Sequence, residues 1–268
     1  WSQRFVERQK SASEVAGIIP ELKTEKCRYF AGLSVVGLDN TATTPDYIRE
    51  RLTAAGLRPI NPAVDVSQYV MLTLGQPLHF YDGDKLQKPL AVCEAKGGEK
   101  LEALDDQTYT PNKGDVVIED GSGVIGLAGV VGGVTTSSEA ETTHVFIEAA
   151  QFDRSQIART GQALQVHSDA RTRFERGIDP SKTRQAAIVA AQLLQEICGG
   201  SVSRVVEVGQ QNPSPITIKF DPTSVKTFGG LDLLPQESKK ILENLGFSVA
   251  GKDVFEVTVP PHLTMHET

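Results

Sequence analysis

The sequence is poor in the residues that staple or anchor a chain. Its 268 residues hold three cysteines, Cys27, Cys93 and Cys198, far apart and without CxxC spacing, which argues against a disulfide framework or a cysteine-based zinc site. Long apolar runs are missing too: none approaches the roughly 18 residues needed to cross a bilayer. No charged start leads into an apolar block, so a cytoplasmic address without a membrane partner is expected. Positive charge is in deficit. A net charge of −7 argues against nucleic acid held on a general basic surface, so any such contact is local. The richest stretch, Asp153 to Arg184, carries seven basic residues against four acidic ones, and a solvated face laced with internal ion pairs reads equally well. What is present, 39% hydrophobic and 23% charged residues, suits an ordinary globular core.

Residues 1–27 read as a polar lead-in. RYFAGLSVVGL (28–38) has strand composition. In TTPDYIRERLTAAGL, Thr44 is the expected N-cap, Pro45 the first helical residue and Gly56 the stop. VDVSQYVMLTLG predicts a second helix ending at Gly75, with His79 just past its terminus. From 89 to 149 the pattern is β throughout, including VIGLAGVV as one strand and HVFIEAAQF as another. DRSQIARTGQAL and SKTRQAAIVAAQLLQEICGG predict helices with a polar run between them, and SVSRVVEVG a strand. This is an α+β unit, mixed with a largely antiparallel β region, closing near residue 210. GQQNPSP has linker composition. Residues 211–268 then read as a small strand, helix, helix, hairpin module. Thr268 carries no terminus signal, so a piece of a longer polypeptide is expected.

The glycine-dense GLAGVVGG (126–133) is not a phosphate loop, because no Lys-Ser/Thr follows and no GxGxxG opens a helix. Gly129, Gly132 and Gly133 instead permit close approach, whether of a ligand against a pocket wall or of backbone against backbone. His262 and His266 lack a third ligand, so no metal is expected. No base accompanies any cysteine. In HVFIEAAQF alternation puts Val145, Ile147 and Ala149 on one face and Phe146 and Glu148 on the other. Periodicity alone favours an exposed Glu148 at a strand end, with a cavity-facing carboxylate as the alternative.

RPINPAVDVSQYVMLTLGQPLHFYD, GLAGVVGG and VHSDARTRFERGIDP occur in an order and spacing that resemble the beta subunit of bacterial phenylalanyl-tRNA synthetase. The likeness covers its third and fourth domains over residues 28–210, and residues 211–268 resemble the start of a winged-helix-like domain. The resemblance implies a proofreading site that hydrolyses tyrosyl-tRNA(Phe), within an enzyme that also needs an alpha subunit, the remaining beta-subunit domains, ATP and magnesium; this piece itself is expected to need no cofactor. A pocket built for phenylalanine cannot strongly reject an isostere that adds a hydroxyl, whereas a second site with a waiting acceptor rejects phenylalanine by roughly four to five orders of magnitude. By position, the resemblance implies His79 and Glu148 as the candidate catalytic residues, with Glu148 reading the para hydroxyl. It implies Ser67, Gln68, Gly132, Ser168 and Ala170 as substrate-binding. Ser67 and Gln68 stand where the family carries threonine and asparagine, and they favour the competing expectation of a scaffold that packs an alpha subunit or guides tRNA without catalysis.

Overall fold

The computed structural model describes residues 17–211 and 215–266, with side chains through Leu263. The described residues fall into two compact units that divide at Gln211/Asn212, with Asp179–Ser181 grouped with the second. The site lies in the first.

That unit is organised around β2 (Cys27–Val36), whose β-branched and aromatic residues form the middle of an antiparallel sheet. β3 (His79–Asp82) and β10 (His144–Phe152) continue the sheet in the order β2-β10-β3. On the other edge of β2, the stretch expected as one strand bends into β11 (Ser201–Val202) and β12 (Val206–Gly209). The bend sits at Ser203, whose hydroxyl accepts from the Ser34 amide at 2.9 Å. A second sheet runs β1 (Glu21–Leu22), β4 (Ala91–Glu94), β7 (Val116–Asp120), β8 (Gly123–Leu127) and β9 (Val131–Gly132), antiparallel except where β1 lies parallel to β4. β1 therefore belongs to a sheet although its residues read as lead-in. VIGLAGVV does not form one strand. It turns at Ala128–Val130, where Gly129 takes φ +67°, a conformation that favours glycine. β5 (Leu101–Glu102) and β6 (Thr108–Tyr109) pair separately.

Helices α1 (Asp46–Ala54), α2 (Pro62–Leu74) and α5 (Thr183–Cys198) cover one face of the β2 sheet. α2 starts on Asn61, whose side chain accepts from the Val64 amide, and stops at left-handed Gly75. Thr44 does not cap α1. Pro45 holds that position, and the Thr44 hydroxyl donates to buried Asp65 at 2.6 Å, a tertiary partner that outcompetes the local one. α3 (Arg154–Ala163) is capped by Asp153. The polar run after it is itself a helix, α4 (Asp169–Arg176), with Ser168 at its N-cap.

Period-two alternation splits β10 between two cores. Val145, Ile147 and Ala149 pack under the helices, while Phe146 and Ala150 pack toward the second sheet. Phe146 is wholly buried and its ring stacks near Phe30 and Tyr81, with centroids 6.4 and 6.3 Å away. Phe146→Ala is expected to cost about 3–5 kcal/mol of stability in urea unfolding, as deletion of a core aromatic does.

The second unit has a three-stranded antiparallel sheet, β13 (Thr217–Phe220), β15 (Phe255–Thr258) and β14 (Ser248–Ala250), with α6 (Ser224–Gly229) and α7 (Pro235–Asn244). Its strand, helix, helix, hairpin order agrees with the sequence pattern. Its buried apolar residues are few, chiefly Phe255 and Val257. His262 and His266 fall in a 3-10 turn, Pro261–His266, and the His266 side chain lies outside the described residues.

Candidate active site

Pairing of β3 with β10 sets the site. Glu148 stands directly across from His79 in the antiparallel register, so both side chains leave the sheet on one face, and Tyr81, two residues on from His79, shares it. That face looks toward the second sheet. β10 is covered on both faces, so Glu148 is 6% exposed rather than solvated at a strand end.

An open pocket of about 70 Å³ results. Its walls include His79, Tyr81 and Glu148 from the first sheet, the chain from Gly126 to Gly132, and Ala170 and Phe174 of α4. Gly132 forms a wall for a steric reason: a Cβ there would collide with the His79 ring. Gly133 is tight for another, since its Cβ would press on the Ile125 carbonyl. Among the substrate-binding candidates, Gly132 and Ala170 thus line the pocket and Ser168, Ser67 and Gln68 do not. Ser168 works one step back. Its hydroxyl donates to the Val130 carbonyl at 2.6 Å and accepts from the Arg171 amide at 3.0 Å, which fixes the start of α4 to the glycine turn and so places Ala170. Ser67 and Gln68 lie on α2; the Ser67 hydroxyl returns to the Val64 carbonyl, and the Gln68 side-chain oxygen is buried without a hydrogen-bond partner. His167 is exposed.

Electrostatics follow from burial. The Tyr81 hydroxyl donates to Glu148 Oε2 at 2.6 Å. Burial raises the Glu148 carboxyl from its ordinary 4.5 to about 7, and the Tyr81 hydrogen bond draws it partly back down. His79 packs edge-on against Tyr81, ring centroids 4.3 Å apart. The residue is partly exposed overall, but its Nε2 is enclosed and without a partner. Burial accordingly lowers the imidazole to about 4, so it is neutral at pH 7 and only a weak base. Near pH 7 the site thus offers a carboxyl at its titration point, a neutral imidazole with a free acceptor or donor, and a phenol.

These shifts have opposite signs in stability. Glu148 keeps its proton longer when folded, so its contribution is complete below about pH 4.5 and is lost as the pH rises through 7. His79 resists protonation when folded, so its contribution is complete above about pH 6.5 and is lost as the pH falls toward 4. Glu148→Gln is therefore expected to gain on the wild type by about 3 kcal/mol between pH 4.5 and pH 8, read as a pH series of urea midpoints. A constant difference across the series would contradict the burial of the acid.

No activated nucleophile is found among the described residues. Burial pushes Cys27 and Cys198 up to about 12 and Cys93 to about 11, far from thiolate at neutral pH. Nor is any group of three His, Cys, Asp or Glu side chains placed to hold a metal among those residues, and none of the described helices is long and apolar enough to cross a membrane. In the basic stretch, Arg171 pairs with Glu175 and Arg173 with Asp169 along α4, as a helix face with internal ion pairs does, while Arg184 reaches Glu207 on β12.

Tyr81 is the site residue that the sequence reading missed. Its signal was the His-x-Tyr spacing, which on a strand puts both rings on one face.

The sequence of this unit matches a known family. The B3/4 domain model matches residues 26–199, and the chain belongs to that family. It is 39% identical over 240 residues, 90% of this chain, to the phenylalanine–tRNA ligase beta subunit of Cereibacter sphaeroides. Over 235 residues, 87% of this chain, it is 42% identical to the corresponding subunit of Rhodopseudomonas palustris. The chain spans 29% of the length of each. Among solved structures, an N-terminal fragment of the phenylalanyl-tRNA synthetase beta subunit from Pyrococcus horikoshii aligns at a TM-score of 0.48 and 16% identity, covering 94% of this chain and 70% of that one.

Proposed function

We propose that this chain is the proofreading part of a phenylalanine–tRNA ligase beta subunit and that its pocket hydrolyses tyrosyl-tRNA(Phe). The observation that carries the reading is the buried Glu148, a carboxyl in an otherwise largely apolar cleft that accepts a hydrogen bond from a phenol. A site that already seats one phenolic hydroxyl on that carboxyl has the chemistry to recognise another. Phenylalanine would bury the acceptor without satisfying it, and that penalty is the basis of discrimination.

In this reading water attacks the ester carbonyl, the new C–O bond forms from the water oxygen, and the bond to the terminal ribose breaks with a proton passing to the ribose oxygen. His79, neutral and weakly basic, orients the water or the ribose through a hydrogen bond rather than carrying the proton away. Positioning then supplies most of the rate for an ester that is already labile. Gly132 leaves room for the His79 ring, and Ala170 and Phe174 supply apolar wall. Ser67, Gln68 and Ser168 support the site from its surroundings. The partners are tRNA(Phe), an alpha subunit and the remaining beta-subunit domains, in the cytoplasm; residues 28–210 form the editing domain and residues 211–268 a partial winged-helix-like one. ATP and magnesium serve the aminoacylation reaction elsewhere in the enzyme, and the hydrolysis needs neither.

The test is deacylation of tyrosyl-tRNA(Phe) and phenylalanyl-tRNA(Phe) by the chain, alone and in the assembled synthetase. Faster release of tyrosine is expected. Equal rates in the assembled enzyme would leave the scaffold reading in its place.

A further inference from the structure

Glu148 is reached by a second polar group that no recognition role yet uses. Tyr81 is 1% exposed and Glu148 6%, so their 2.6 Å contact is made out of water. The Tyr81 ring is fixed from two sides, by His79 edge-on and by Phe146 in a stack. A hydroxyl on a ring held in this way has little freedom to point elsewhere. No ion pair reaches Glu148 among the described residues, so a neutral phenol rather than a cation holds the carboxylate.

We propose that Tyr81 is a specificity-determining positioning residue, its hydroxyl bound to one oxygen of Glu148 so that the carboxyl is oriented with the other oxygen available to a ligand hydroxyl. The proposal rests on the reading of Glu148 as the acceptor for tyrosine. Its physical content is separate: a buried carboxylate needs a donor to remain charged, and in this pocket Tyr81 is that donor. The Tyr81 hydrogen bond acts in the matching direction, lowering a carboxyl that burial raises. The other titratable groups facing the pair are His79 on β3, Cys27 on β2 and Asp120 on β7. Burial keeps the first two uncharged near pH 7, and Asp120 acts on the phenol by holding its proton on.

The experiment is Tyr81→Phe, which deletes one oxygen and keeps the ring. Two readouts are taken: the carboxyl titration of Glu148 by carbon-13 NMR, and the pH profile of tyrosine binding relative to phenylalanine. Loss of the donor is expected to move the Glu148 midpoint up by about one to two pH units, the size of a hydrogen bond to a charged group. The tyrosine preference should fall at pH 7 and recover at higher pH. An unmoved midpoint in a folded variant overturns the proposal, even if tyrosine is still preferred. A raised midpoint in a pocket without any tyrosine preference upholds the Tyr81–Glu148 coupling but removes its role in specificity, and the function proposed above fails with it. If Tyr81→Phe does not fold, 3-fluorotyrosine at position 81 gives the converse reading. It is a stronger donor, so the midpoint must move down, and no movement overturns the proposal.

Discussion

Replacing Glu148 with alanine is expected to abolish the preference for tyrosine over phenylalanine, by weakening tyrosine and by relieving phenylalanine of the penalty for an unsatisfied acceptor. A hydrogen bond to a charged acceptor contributes about 1.5–3 kcal/mol, which corresponds to roughly 10- to 150-fold in binding. Phenylalanine gains nothing from that acceptor, so the variant should bind both amino acids within about threefold of each other. Alanine also strands the Tyr81 hydroxyl, which loses the partner it has at 2.6 Å, so the variant should be less stable by about 1–3 kcal/mol on that account. Relief of the buried charge offsets part of this at pH 8. His79→Ala is the contrasting case. The imidazole faces the reacting end in this account, so deacylation should slow while the preference for tyrosine persists. Calorimetric titration separates the two variants, and a His79→Ala variant that loses selectivity as completely as Glu148→Ala would assign recognition to the wrong residue.

Gly132→Ala should have the second largest effect, for a steric rather than an electrostatic reason. The new methyl falls on the His79 ring, whose enclosed Nε2 shows how closely the walls hold it. The ring must rotate or the β8–β9 pair must spread. Overpacking of this kind costs about 1–3 kcal/mol, and a displacement of about 1 Å in a positioning group lowers rate roughly 100-fold. Gly126 provides the control. It pairs with Gly132 across the two strands, yet the atoms nearest its added Cβ are 3.7 Å away, ordinary contact distance, so Gly126→Ala should deacylate close to the wild-type rate. Equal loss in both variants would mean that the strand, not the His79 ring, is the sensitive element.

The elements that were legible in the sequence are those that carry their own periodicity or their own caps. α2 is marked at its end by Gly75 and along its length by apolar residues at helical spacing, although it begins at Pro62, two residues before the expected Val64. α4 was hidden because it buries only Phe174; a helix that presents one apolar residue and pairs its charges along the other faces produces no apolar stripe. Thr44 looked like a cap because the capping signal is local, whereas Asp65, its actual partner, is 21 residues away. Alternation correctly divided β10 into two sets. It erred on Glu148 because it assumes that one face of a strand meets water, and here helices cover one face and a second sheet the other. The pocket itself could not be read from either strand alone. The pairing of Glu148 with His79, the collision that reserves Gly132 for glycine and the seat of Tyr81 on the carboxylate all arise between segments roughly fifty to seventy residues apart.

The most direct test of the account is titration of the unmodified chain with L-tyrosine and with L-phenylalanine at pH 8, where Glu148 is ionised. Tyrosine is predicted to bind at least tenfold more tightly, the lower limit for a hydrogen bond to a charged acceptor, with the margin shrinking as the pH falls below 7. Equal affinities at pH 8 would show that the buried carboxylate does not read the hydroxyl, and the proofreading account would be contradicted at its centre.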